Sequence, residues 1–419
     1  MNKFKISQLL LALAFLAAPA AAQDFDSLPS VKDIVSQART AEVTAPLPAL
    51  PQDAEAVKEW TIMVFMNGKN NLSSHVIRDM NEMEKYGPTA NINIVTQAAR
   101  IGDATGDWVG VRRYLVTADG DNPALSSIML SDLGNVDMGD YRQLVEFGKW
   151  AKQNYPAKKY MLIVWNHGDG WKNQAFGKPG IKGISYDDES GHGISTVNLG
   201  LAVREMGGVE IYASDACLMQ MAEVAYELKD AARITVGSEE TEPGDGWAYD
   251  YFLARVHSNK TNLTPDVMAA AAVQGYKAFY GEKKTNATQS ALRTSGMNGF
   301  RAMMDQWAGA AMKEDKAMLK VALSSATSFS GADSRDLIHF MELVYGRTSS
   351  NELKWKTVNA MNYIYDHVLL DNGATGDRFK KAYGIGIYLP AYGYEAAYGN
   401  LAWSKDGQWD EFVQWLTAK

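Results

Sequence analysis

The chain contains a single cysteine in 419 residues. One thiol forms no disulfide within its own chain, so a small disulfide-stapled scaffold is excluded. Proline is scarce at 12 residues, and no low-complexity tract or internal repeat is present. That excludes collagen-like and proline-rich disordered architectures. A basic surplus is also missing: 41 Lys and Arg face 49 Asp and Glu, a formal charge of −8. Non-specific attraction to nucleic acid or anionic lipid needs a basic face, so neither is an expected partner. The 6 histidines form no H-x-x-H or H-E-x-x-H spacing, which leaves zinc chemistry without support, and no metal-ligating residues are assigned. The glycine-rich pieces GDATGDW and YGIGIYL match neither a phosphate loop nor a dinucleotide fingerprint.

Long apolar runs are confined to the start. Lys3 and Lys5 precede an apolar stretch over 9–18, and Ala20, Ala21 and Ala22 follow Pro19. The stretch is shorter than the about 20 residues of a membrane span, and the small residues suit signal peptidase. Residues 1–22 therefore read as a cleaved secretory signal, with an uncleaved anchor as the alternative. The mature protein is expected to be secreted or periplasmic. No cysteine follows the run, so no lipoprotein anchor is expected. Residues 23–58 are rich in Ala, Pro and acidic residues without an apolar period, and read as a leader or linker.

From Trp60 onward, short apolar runs alternate with helical periods. Strands are predicted at 60–66, 92–95, 110–117, 160–165, 209–213 and 234–236, and helices at 138–153, 196–206 and 218–230. Unbroken apolar runs suit strands buried on both faces of a parallel sheet, so the expected core (59–260) is an α/β three-layer αβα sandwich. Residues 261–419 are mostly helical, with helices over 265–280, 299–323, 336–345 and 351–370. This region is expected to return one strand (384–389) to the core sheet.

In open α/β sheets, ligand sites lie at the carboxyl ends of strands. The YMLIVW strand runs into Asn166-His167-Gly168-Asp169-Gly170-Trp171, and the VEIYA strand into Ser214-Asp215-Ala216-Cys217-Leu218-Met219. The sole thiol and one imidazole are thus expected on the same rim, as a nucleophile with its acid or base. The start of the following helix is expected to lower the thiol pKa. Gly168 leaves its backbone N–H unobstructed, to pair with the N–H of Cys217 as oxyanion donors. A buried inert thiol and a loop histidine bonded to backbone are the plain alternatives.

These two blocks resemble the clostripain family of cysteine peptidases, relatives of caspases. LGNVDMGD at 133–140, GISYDD at 183–188 and SEETEPGDGW at 238–247 add to the resemblance. It implies a caspase-like fold and an endopeptidase working through a Cys217–His167 dyad and a thioester acyl-enzyme. It also implies cleavage after Arg or Lys, because carboxylates line the specificity pocket: Asp215 matches one and Asp245 a second. Asp215 as a helix N-cap and Asp245 as part of a turn are the alternatives. Self-processing in the 172–185 loop is implied at Lys182, Pro179 hindering a cut after Lys178. No cofactor is required by this resemblance. Calcium enters because some members need it, yet there is no EF-hand loop, Asp132, Asp137 and Asp140 are irregularly spaced, and Asp187-Asp188-Glu189 reads as a solvated loop. The expected partners are protein or peptide substrates with basic residues, met by a monomer. An exported α/β ligand-binding protein, or a catalytically silent protease-like protein, is the competing reading.

Overall fold

The structure, a computed structural model, describes residues 57–102, 108–171, 183–259, 262–330 and 333–418. The signal 1–22, residues 23–56 of the leader, and both Lys178 and Lys182 lie outside the described residues. The strands are β1 (Lys58–Gly68), β2 (Ile92–Arg100), β3 (Gly110–Leu115), β4 (Ile128–Gly134), β5 (Ala157–Trp165), β6 (Ile184–Asp187), β7 (His192–Ile194), β8 (Val209–Asp215), β9 (Ala232–Gly237), β10 (Ser290–Arg293), β11 (Ser334–Asp336), β12 (Leu369–Asn372) and β13 (Gly386–Tyr388).

Nine of them form one sheet in the order β12-β10-β9-β8-β5-β1-β2-β3-β4. The central strands β9, β8, β5, β1 and β2 are parallel. Antiparallel pairs close each side, β10 and β12 at one edge and β3 and β4 at the other. Alternate side chains of β1 feed two separate cores. Met63 and Phe65 face one, with the Tyr141–Asn154 and Thr196–Glu205 helices. Ile62, Val64 and Met66 face the other, with the His75–Tyr86, Tyr249–Ser258 and Pro265–Glu282 helices. This is the αβα sandwich the apolar runs predict: strands covered on both faces need no polar alternation.

Local chemistry sets the helix ends. The Thr264 hydroxyl accepts from the Val267 N–H at 3.3 Å, and Pro265 occupies the first turn, where its missing N–H costs nothing. Asp315 accepts from the Ala317 N–H at 2.9 Å. It begins a new helix there and splits the predicted 299–323 helix into Met297–Ala311 and Lys316–Ser325.

The C-terminal region departs from expectation in its strands. The late apolar run does not join the large sheet: β13 pairs with β11 in a separate two-stranded sheet. It touches the core through a bridge in which the Gly386 N–H donates to the Gln220 carbonyl at 3.0 Å. The strands returned to the core sheet are β10 and β12. A buried apolar run reports burial and not its pairing partner, and the short β10 and β12 segments give no period to read. β12 is hidden further because it follows the Asn351–Tyr363 helix through a π-helical turn at Ile364–Val368.

Trp307 ties the C-terminal helices to the same core as the sheet. Its indole N–H donates to Thr357 at 2.9 Å, and its ring packs on Phe340 and Phe412. Trp307→Ala should cost about 3–5 kcal/mol in urea unfolding. The loss should appear within one cooperative transition, since sheet and C-terminal helices share that core.

Candidate active site

The site begins with register. β5 and β8 are parallel neighbours with Trp165 opposite Asp215, so two residues further on His167 and Cys217 stand on the same rim. A Cβ added at Gly168 would lie 2.5 Å from the Cys217 carbonyl oxygen, so only glycine permits this approach. The Ser185 N–H donates to the His167 carbonyl at 3.3 Å and the Asp169 N–H to Gly183 at 2.9 Å, fastening the histidine loop to β6. Leu218, directly after the thiol, has φ 63°, a left-handed conformation costly for leucine and held by its N–H donating to Glu240 at 3.1 Å. Among the described residues, the N–H groups of Gly168 and Cys217 make no hydrogen bond.

The expected helix start is not at the thiol. Residues 217–218 are a turn, Met221 bridges to Gly386, and the helix spans only Ala222–Glu227. It gives Cys217 no helix-dipole support, and Asp215 is not a helix N-cap. Burial pushes the Cys217 thiol up to about 12, helped by Glu242, Glu240 and Asp215, while the Glu242 backbone N–H works the other way. That N–H donates to Sγ at 3.3 Å. Half-buried His167 is shifted down by desolvation. At neutral pH the pair therefore rests as neutral thiol and neutral imidazole.

Asn71, in the loop after β1, is a partner that the sequence did not reveal. Its Oδ1 lies 2.7 Å from His167 Nε2. An amide oxygen only accepts, so Nε2 bears the proton and Nδ1 is the basic nitrogen.

A cleft of about 260 Å³ joins thiol and imidazole to Leu72, Arg78, Asp79, Asp215, Glu242 and Gly246. Asp215 is buried at its floor, accepting from the Trp247 N–H at 3.1 Å and the Tyr249 hydroxyl at 2.9 Å. Burial pushes its carboxyl up to about 6 against these bonds. Glu242 beside it is driven well above the carboxylate range by burial and by Asp215. Gly246 has φ 61° and would place a Cβ 2.9 Å from Asp215, so this position also demands glycine. Its N–H closes a turn onto the Pro243 carbonyl at 2.8 Å, as Pro-Gly-Asp-Gly predicts. Asp245, on that turn, does not line the cleft: it pairs with Arg78 at 3.1 Å and Lys283 at 2.5 Å.

Comparison with known proteins agrees with this geometry. A model of the clostripain family (peptidase C11) matches residues 64–415. The chain belongs to the clostripain family. It is a cysteine endopeptidase with a caspase-like fold. Clostripain from Hathewaya histolytica is 24% identical over 447 residues, covering 83% of each protein. Among solved structures, a secreted C11 cysteine protease from Bacteroides thetaiotaomicron, in complex with an irreversible peptide inhibitor, superposes with a TM-score of 0.62 at 18% identity, covering 85% of this chain and 98% of that one. An inactive zymogen C11 protease from Parabacteroides distasonis gives a TM-score of 0.61 at 18% identity, covering 85% and 99%.

In this clostripain-family peptidase the C-terminal region walls the site: Phe329, Phe379 and Ala382 pack with Leu218 against Cys217. A larger groove of about 710 Å³ at the amino end of the strands, near Lys152 and Arg233, contains neither thiol nor imidazole.

The acidic residues weighed for calcium do not converge. Asp132 pairs with Arg112, Asp137 with His192, and Asp140 caps a helix. Asp187 is buried, not solvated as expected, and accepts from the N–H groups of Met138, Glu189 and Ser190. Among the described residues, no group of three or more His, Cys, Asp or Glu is arranged to hold a metal ion. No helix of the described residues is long and apolar enough to cross a membrane.

Asn71→Ala should lower kcat about 10- to 100-fold with KM little changed, as expected for a residue orienting an imidazole. Asn71→Gln should recover less than wild type because the amide is displaced. Gly168→Ala should remove nearly all turnover and also lower the melting temperature, because the added Cβ meets the Cys217 backbone carbonyl, measured by peptide hydrolysis and calorimetry.

Proposed function

We propose that this chain is a secreted or periplasmic endopeptidase that cleaves after Arg or Lys, acting as a monomer through Cys217 and His167. The observation that carries this reading is that a thiol, an imidazole and a buried carboxylate line one cleft. A substrate guanidinium or ammonium pairs well with a carboxylate in a desolvated pocket, and Asp215 is the residue assigned to it. Asp245 is assigned an indirect part, through its ion pairs with Arg78 and Lys283.

The resting pair is neutral, so attack and proton transfer are coupled. Sγ bonds to the carbonyl carbon as its proton passes to His167 Nδ1. The carbonyl oxygen becomes an oxyanion between the N–H groups of Gly168 and Cys217. Collapse breaks the C–N bond, the imidazolium gives its proton to the leaving amine, and a thioester remains. Water then attacks the thioester while Nδ1 takes its proton; collapse breaks the C–S bond and releases the new carboxyl terminus, and return of that proton to sulfur regenerates the thiol. Asn71 holds Nε2–H throughout, so the ring stays aimed. Export agrees with the secretory signal read in 1–22 and with the C11 relative described as secreted. Self-processing is assigned to Lys182, in the stretch of sequence that follows the histidine block.

Cys217→Ala should abolish hydrolysis of Arg- and Lys-terminated fluorogenic peptides and should remain a single band on a denaturing gel. Equal cleavage after acidic or aromatic residues would overturn the Asp215 assignment. Asp215 carries full charge only above its pKa of about 6. Between about pH 5 and 7, kcat/KM toward an Arg peptide should rise more steeply than toward an uncharged analogue, and Asp215→Asn should flatten the difference.

A further inference from the structure

The cleft already holds a cation of its own. Arg78, on the His75–Tyr86 helix, lines it together with Asp79, Asp215, Glu242 and Cys217. Its Nε donates to Asp79 Oδ1 at 2.9 Å, Nη1 to Asp245 Oδ1 at 3.1 Å and Nη2 to the Asp245 carbonyl at 2.8 Å. Asp79 is buried, and its other oxygen accepts from the Trp165 indole N–H at 2.7 Å. Lys283 engages the second Asp245 oxygen at 2.5 Å. Both carboxylates are therefore engaged by groups of the chain itself. Burial works against the Arg78 charge, yet Asp79, Glu82 and Asp245 hold its pKa above the usual value. The guanidinium is thus a permanent positive charge on the wall of a cleft whose floor is Asp215.

Building on the basic-residue reading above, we propose that Arg78 is a specificity-determining residue, a resident guanidinium that withdraws Asp79 and Asp245 from substrate binding and leaves the Asp215–Glu242 pair as the anchor for an incoming cation. Two consequences follow from Coulomb's law in a partly desolvated cleft. A substrate cation meets repulsion from Arg78 as well as attraction from Asp215. Its selectivity over a neutral isostere is therefore smaller than three nearby carboxylates would give. Removing the guanidinium lifts that repulsion and leaves Asp79, on the cleft wall, with the Trp165 indole alone, while Lys283 still holds Asp245.

The test is the ratio of kcat/KM for two peptides that differ only in Arg against citrulline, an uncharged isostere, at the cleaved position. It is measured for the wild type, Arg78→Gln, Arg78→Lys and Asp245→Asn, with melting temperatures alongside. The wild-type ratio judges the basic-residue reading itself: a value near one would defeat that reading. The change on substitution judges Arg78. Arg78→Gln should raise the ratio about tenfold, and Arg78→Lys should keep it near wild type. General damage to the loop lowers both substrates together, so an unchanged or lower ratio in Arg78→Gln would overturn the proposal. Asp245→Asn gives an independent reading should Arg78→Gln not fold. A ratio within about threefold of wild type is expected, and a tenfold loss would mean that Asp245 binds substrate directly, which also overturns it.

Discussion

Everything at the site depends on two parallel strands ending level with each other. With Trp165 paired to Asp215, the chain leaves both strands at the same height, and the histidine and cysteine loops must share the space above. The backbones then approach so closely that a methyl group at Gly168 would collide with the Cys217 carbonyl. This contact holds the histidine and cysteine loops against each other without a disulfide. Leu218 holds a left-handed backbone there. Such strain survives only because Glu240 and the β6 bridge over-determine the loops.

The second constraint is burial of acid. Asp79, Asp215 and Glu242 are carboxyl groups removed from water around one cleft. Isolated buried charges are costly, so such groups take up protons or find partners. Burial drives both Glu242 and Asp79 well above the carboxylate range, Asp79 even though it meets Arg78 and the Trp165 indole. Burial raises the thiol first and the neighbouring carboxylates add to it, which explains why the nucleophile rests protonated in a site built to attack a carbonyl. Negative charge near a thiol opposes thiolate formation, whatever the sequence neighbours promise.

The C-terminal region is part of this arrangement. Arg378 pairs with Glu240 at 3.1 Å, the residue whose carbonyl holds Leu218, and the Gly384 N–H donates to Glu239 at 3.0 Å. Phe329 and Phe379 complete the apolar wall behind the nucleophile. The segments around Phe329 and from Arg378 to Gly384 therefore support the loop after β9 and the cysteine turn from outside, while β10 and β12 extend the sheet.

The sequence by itself determined the layers and the rim. Unbroken apolar runs bounded by turn residues suit strands covered on both faces, and the NHGDGW and SDACLM blocks each follow one, so His167 and Cys217 were legible at strand ends. Periodicity is local, and local information reaches no further. It named neither the partners of β10, β12 and β13 nor the break at Asp315, and it mistook a turn for a helix start below the thiol. Asn71, Arg78 and Asp79 left no signal, because they are ordinary polar residues in a loop and on an amphipathic helix. Their place at the imidazole and the cleft is created by packing β1 and its helix against β5. Tertiary structure alone decided that Asp245 faces Arg78 and Lys283, since the side chains that reach a carboxylate come from segments far apart in the chain.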